Sequence, residues 1–272
     1  MGVVNMEEYF IFSDESGYWH NTKKDALYVR SWVKILADKY YKLEGIWKTQ
    51  KLPYPTDKSL LKNQKGISEI IFNNSEIILF FTITKLNEFY RRKWKIRDQV
   101  SLALSQLESL LKRKYEKKIP PKLKNALNQV LFLNVYEAFH IDNAVKYLCD
   151  KNAKYNFIIH KPQFAENDYL EVFYEVIKEY GDNIKCAISK GEELGIKVAD
   201  SLAKILRESV EEEDTKKAEF LKEMILNKSP VGERLGIKGL CKIFNYIPRS
   251  YGDLELQREE NIFCEKLRKL FS

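Results

Sequence analysis

At 272 residues, 44% of them hydrophobic, with a formal net charge of +7, the chain is long enough to bury one substantial core. Its longest strongly apolar run, residues 77–83, is too short to cross a bilayer, and residues 1–9 carry Glu7 and Glu8 instead of the basic start and apolar core of a secretory signal. Cys149, Cys186, Cys241 and Cys264 lie far apart with no Cys-x-x-Cys pair, which argues against a zinc knuckle and a disulfide framework and leaves a cytoplasmic protein with no membrane partner as the expectation.

Residues 8–13 and 26–36 are rich in β-branched and aromatic side chains around a turn-like Ser-Gly-Tyr-Trp-His-Asn, which predicts a β-hairpin. The first strand is expected to end at Ser13 and present Asp14 and Glu15 side by side. Adjacent carboxylates repel unless a cation, hydrogen bonds or a raised pKa relieves them. A divalent ion relieves them best: Mg²⁺ prefers carboxylate oxygen and keeps waters for a phosphate-bearing substrate, which suits Asp14, Glu15 and a helix-borne Asp200. Asp14-Glu15-Ser16-Gly17 also fits the start of a turn, where Asp, Ser and Gly occur for backbone reasons.

Pro53 and Pro55 predict a loop, followed by a short helix over about 58–73 and an apolar strand over 76–86. From Lys85 to Lys124, thirteen Lys or Arg stand against four acids, an excess larger than that of the whole chain, so the positive field is concentrated in one segment. Val100, Ala103, Leu104, Leu107, Leu110, Leu111 and Tyr115 fall at helical offsets and predict an amphipathic helix with a basic C-terminal end before Pro120-Pro121. Phe89, Tyr90, Trp94 and Tyr115 interleave these charges, a mixture that suits a nucleic-acid backbone with bases stacked on rings. Basic residues also collect at helix C-termini, and aromatics at this spacing also enter cores.

One or two helices are expected through 122–150, then a strand at 156–160, a helix over 167–180 and a strand at 184–188. Strands alternating with helices imply an α/β sheet. Residues 195–210 return to helical period with Val198, Ala199, Leu202, Ala203 and Leu206 as the buried stripe and Asp200 at its margin. Asp200 there points along the sheet, or forms an i,i+4 ion pair with Lys204. The acidic run 211–214 separates this helix from a C-terminal helical extension whose last element spans 254–271.

Tyr9-Phe-Ile-Phe-Ser-Asp14-Glu15-Ser16-Gly17 resembles the opening strand of the family catalogued as domain of unknown function 3800. Ser189-Lys190 followed by Gly195-Ile-Lys-Val-Ala199-Asp200 is similar to that family's second landmark, Ser-Lys and then Gln-x-Ala-Asp at the head of a helix. The resemblance implies a ribonuclease-H-like mixed sheet flanked by helices, in which acids from the first strand, a middle strand and the final helix gather around metal. On that pattern residues 1–212 form the domain, with a basic helical insertion at about 88–152, and 213–272 form the helical extension packed on it. Asp14 and Asp200 are then metal ligands and Glu15 a ligand or an assisting base.

Two positions depart from the pattern. Where an acid commonly ends the middle strand, this chain reads Phe157-Ile-Ile-His160-Lys161, and Lys197 stands where Gln is usual. His160 is then a candidate nitrogen ligand, shifting preference toward Mn²⁺ or Zn²⁺, or a general acid or base, or a polar strand-end residue. Glu192 and Glu193 offer a replacement acid, although acids at a helix start also complement its dipole. Lys190 is a candidate for neutralising a transferring phosphoryl group, or a solvated lysine. His20 and His140 have no partner spacing that suggests a role.

The function expected from these residues is a nuclease dependent on Mg²⁺ or Mn²⁺ that hydrolyses phosphodiester bonds in DNA or RNA. The alternatives are a nucleic-acid-binding module of the same fold that has lost catalysis, and a scaffold whose basic helices meet an acidic protein. Phosphate-binding Gly-rich loops, a Gly-x-Ser-x-Gly elbow and a His-Glu-x-x-His helix are all absent from the sequence.

Overall fold

Period-two apolar stretches form the strands of a six-stranded mixed sheet in the computed structural model, which describes residues 6–17, 26–74, 77–85, 132–161, 181–224, 244–247 and 254–271. The strands are β1 (Glu8–Ser16), β2 (Leu27–Leu36), β3 (Ile78–Lys85), β4 (Lys154–His160), β5 (Ile184–Ser189) and β6 (Phe244–Ile247), in the order β5-β4-β1-β2-β3-β6. β1, β2 and β3 form an antiparallel meander, β4 runs parallel to both β1 and β5, and β6 runs parallel to β3. The helices are α1 (Ala37–Thr49), α2 (Asp57–Leu61), α3 (Ile67–Asn74), α4 (Phe132–Leu148), α5 (Leu194–Glu211), α6 (Thr215–Lys222) and α7 (Leu254–Phe271). The fold is therefore α/β, a mixed sheet flanked by helices.

Side-chain alternation divides the sheet into two unlike faces. Phe12, Val29, Val33, Leu79, Phe81 and Ile83 join the stripe of α5 in an apolar core, with Tyr40, Leu43 and Trp47 of α1 against it. On the opposite face Tyr28, Arg30, Trp32, Lys34, Phe80, Thr82 and Thr84 are all buried, a far more polar set. There α4 covers the sheet: its Tyr147 ring stacks on Phe80 at 4.4 Å, and Lys34 donates to the Leu148 carbonyl at 2.8 Å.

Several expectations need correction. β1 runs on to Ser16, so Asp14 and Glu15 lie within a strand and are directed to opposite faces, not side by side. α1 follows β2 without a break, where no helix was expected. The helix expected over 58–73 is divided because Asn63 and Lys65 adopt left-handed φ of 44° and 53°, and the Asn63 side chain accepts from Ser68 N at 3.0 Å to open α3. The segment 213–272, expected to be helical, also contributes β6 beside β3.

α4 falls within the stretch expected to be an insertion and packs on β2, β3 and β6. The amphipathic basic helix over 100–118, the helix over 167–180 and nearly all of the basic segment lie outside the described residues. Among the described residues no helix is long and apolar enough to cross a membrane.

Candidate metal centre

Asp14 occupies the sheet's central strand with a different neighbour on each side. Register pairs it with Ser31 of β2, and the pairing of Ser13 with Ile159 sets it level with His160 at the end of β4. The Asp14 side chain is 8% exposed, and its Oδ1 lies 2.9 Å from Nδ1 of His160, which is 34% exposed. The same oxygen accepts from the backbone N–H of Glu15 at 2.8 Å. A carboxylate only accepts, so Nδ1 carries the proton of the pair. The hydrogen bond to Asp14 raises the His160 pKa above its ordinary value against the opposing effect of burial, and the charges of Asp14 and Glu15 add to the rise.

Asp200 is brought to this edge by two contacts that anchor α5 across β1 and β2. Gly195 lies on the Phe12 ring so closely that a Cβ there would stand 2.3 Å from ring carbons, so only glycine permits the approach. Four residues on, the Ala199 carbonyl accepts from Ser31 Oγ at 2.6 Å, and Ser31 is the β2 partner of Asp14. Asp200 comes next in the chain. Desolvation and then the like charge of Asp14 raise its pKa, while Lys197, Lys204 and His160 oppose the rise. Asp200 is exposed over much of its surface. The Lys204 ammonium, the alternative partner for Asp200, pairs with Asp57 of α2 at 3.1 Å.

Glu15 turns to the other face. Its Oε2 meets Arg30 at 3.2 Å, and Arg30, with no exposed side-chain surface, also donates to Ser13 Oγ at 3.2 Å and packs over the Trp32 ring. Even so, one ligand atom each from Asp14, Glu15 and His160 lie within 4.8 Å of one another. Donors on opposite sides of one divalent ion are separated by about twice its bond length, roughly 4–5 Å. Two carboxylates and an imidazole at this spacing fit such an ion.

The remaining candidates lie farther out. The Glu193 carboxylate accepts from the Ser189 hydroxyl at the turn between β5 and α5 and is not among the three clustered groups. Glu192 and Lys190 are exposed on the same turn. Asp200 also stands outside the cluster of three, close enough to Asp14 to feel its charge.

Arg30, Ser31 and Gly191 were missed by the sequence reading. Arg30 had a signal: it and Lys34 are the only charges in the otherwise apolar strand β2, and a charge that is buried needs a partner. Ser31 and Gly191 had none, because their role depends on which element lies over them. No protein-family model matches the chain, and no curated protein matches it.

Proposed function

We propose that the chain is a divalent-metal-dependent hydrolase of phosphodiester bonds in DNA or RNA, on a ribonuclease-H-like sheet of the kind the resemblance to domain of unknown function 3800 implies. One observation carries the reading: Asp14 near the start of the domain hydrogen-bonds His160 at the end of β4 in a cluster that Glu15 completes, and Asp200 near the domain's end stands close enough for the Asp14 charge to raise its pKa. β1 contributes Asp14 and Glu15, β4 contributes His160, and α5 carries Asp200 nearby.

Asp14, His160 and Glu15 would hold the ion, with Asp200 on α5 near enough to feel the charge of Asp14. A bound divalent ion there supplies a polarised phosphoryl oxygen and an activated water. The chain's own part is to fix Asp14 by its pairing with Ser31 of β2 and its hydrogen bond to His160, to keep a second carboxylate at Asp200, and to carry the positive charge of the exposed Lys190 on the turn after β5. The basic segment from Lys85 to Lys124 provides the field that attracts a polyanion.

The test is incubation with single-stranded and duplex DNA, RNA and a hybrid, in Mg²⁺, in Mn²⁺ and in chelator. Cleavage is expected with metal only, and Asp14→Asn and Asp200→Asn each lower it by about 100-fold or more. Cleavage indifferent to both substitutions removes this site from the reaction. Nucleic-acid binding without cleavage in any metal is the outcome for a degenerate binding module, the reading favoured by an imidazole where an acid is usual.

A further inference from the structure

We infer that His160 is a nitrogen ligand presented through Nδ1, with Gly191 as the residue that orients its ring, and that the centre is thereby tuned to a borderline transition dication such as Mn²⁺ or Zn²⁺ in preference to Mg²⁺. The inference rests on the metal centre proposed above and specifies its cofactor class.

The two ring nitrogens of His160 have different surroundings. Nδ1 faces Asp14 Oδ1 at 2.9 Å, and a ring nitrogen lies in the cluster with Asp14 and Glu15. The Nε2 edge lies against Gly191: a Cβ on that residue would stand 3.1 Å from Nε2 and 3.2 Å from Cδ2. A side chain at 191 therefore pushes on the ring from behind.

Gly191 also has φ +85°, in the left-handed region that side chains disfavour. Its N–H donates to Ser189 Oγ at 2.7 Å, and the Ser189 hydroxyl is engaged with the Glu193 carboxylate. His160 is the β4 partner of Ser189, so ring and turn grow from one pair of strand ends. Glu193 thus acts through the turn: it holds Ser189, which holds Gly191, which backs the ring.

The donor chemistry sets the choice of ion. Mg²⁺ favours an all-oxygen octahedron, whereas an imidazole among carboxylates suits first-row transition dications. Replacing the imidazole by a carboxylate returns the set to oxygen.

The experiment uses the full chain labelled with ¹⁵N-histidine; three histidines keep the spectrum sparse. ZnCl₂ is titrated in, and MnCl₂ and MgCl₂ affinities are measured by calorimetry. Zn²⁺ is expected to displace the Nδ1 proton to solvent and move that Nδ1 resonance, a change absent from His160→Asp, with the ring's remaining proton then on Nε2. Mn²⁺ and Zn²⁺ bind at least about tenfold more tightly than Mg²⁺, and His160→Asp collapses that ratio. Gly191→Ala weakens Mn²⁺ by about tenfold in the wild-type background but not in His160→Asp, a dependence that general loss of structure does not produce.

Binding with no histidine shift, a shift at Nε2, or a Mg²⁺ affinity equal to that for Mn²⁺ and unchanged by His160→Asp overturns the inference and leaves a hydrolase possible. Zn²⁺ at Nδ1 without cleavage of any nucleic acid sustains the inference and removes the hydrolase reading. No binding of any of the three ions overturns both.

Discussion

Asp14 meets a partly exposed imidazole across the step from β1 to β4, whereas Glu15, the next residue, meets a guanidinium with no exposed side-chain surface. The contrast extends over the two faces of the sheet. On the Asp14 face the partner of the carboxylate, His160, reaches solvent. On the Arg30 face, His140 is fully buried between Thr82 Oγ1 at 2.6 Å and Thr84 Oγ1 at 3.0 Å, and Trp32 Nε1 donates to Thr82 at 2.9 Å. A charge whose partner reaches water is able to exchange that partner for a ligand. A charge locked to a buried partner holds its position, and Glu15 joins the two by reaching the cluster while anchored from behind.

If the Arg30 face is structural, breaking it has the largest effect on stability. Arg30→Met leaves Glu15 without its buried counter-charge and is expected to cost about 3–5 kcal/mol. Most of this is expected to return in the double variant with Glu15→Leu, read from urea midpoints. A loss no greater than that for Lys48→Met, which removes the exposed pair of Lys48 with Glu44, would erase the distinction between the faces.

His140→Leu comes next, at about 2–4 kcal/mol, because two threonine hydroxyls lose a buried partner. Burial, and then the Arg30 charge, hold His140 well below its ordinary pKa, so it stays neutral in the folded chain. Its contribution is present above the unfolded value of about 6.5 and is lost as pH falls below it. The variant's stability should therefore fall less than the wild type's between about pH 6.5 and 5.

Gly195→Ala tests what joins the faces to the site. A Cβ against Phe12 is expected to cost about 1–3 kcal/mol and to displace Asp200 with α5, so metal-dependent cleavage falls further than stability alone accounts for. Equal activity per folded molecule would show that α5 is not held by this contact.

The smallest effect on the fold belongs to His160→Gln, less than about 1 kcal/mol for a partly exposed pair. Its pH signature has the opposite sign to that of His140. The raised pKa means that the contribution of His160 is full below about pH 6.5 and is lost as pH rises through the folded value. Stability profiles of metal-free wild type and variant should converge on the alkaline side.

The comparison also separates what the sequence displays from what it hides. The strands of the hairpin, the stripe of α5 and the bounds of α7 are periodic signals and are legible, as is the position of Asp200 at the margin of that stripe. The continuation of β1 to Ser16 is hidden because Asp-Glu-Ser-Gly has the composition of a turn, yet pairing with β2 through Ser16 overrides it. α1 is hidden because Leu36 leads into it with neither a capping side chain nor a breaker. Gly195 and Gly191 are legible as glycines but not as contacts, since Phe12 and His160 approach them only in the folded chain. The short strand β6 carries too few residues to show a period, and it exists by pairing with β3.

The most direct test of the metal centre is anomalous diffraction from crystals of the full chain grown with Mn²⁺. The account predicts one strong peak within bonding distance, about 2.0–2.3 Å, of both an Asp14 carboxylate oxygen and His160 Nδ1. A peak bound elsewhere, or an Asp14–His160 hydrogen bond that persists with no peak beside it, would contradict it.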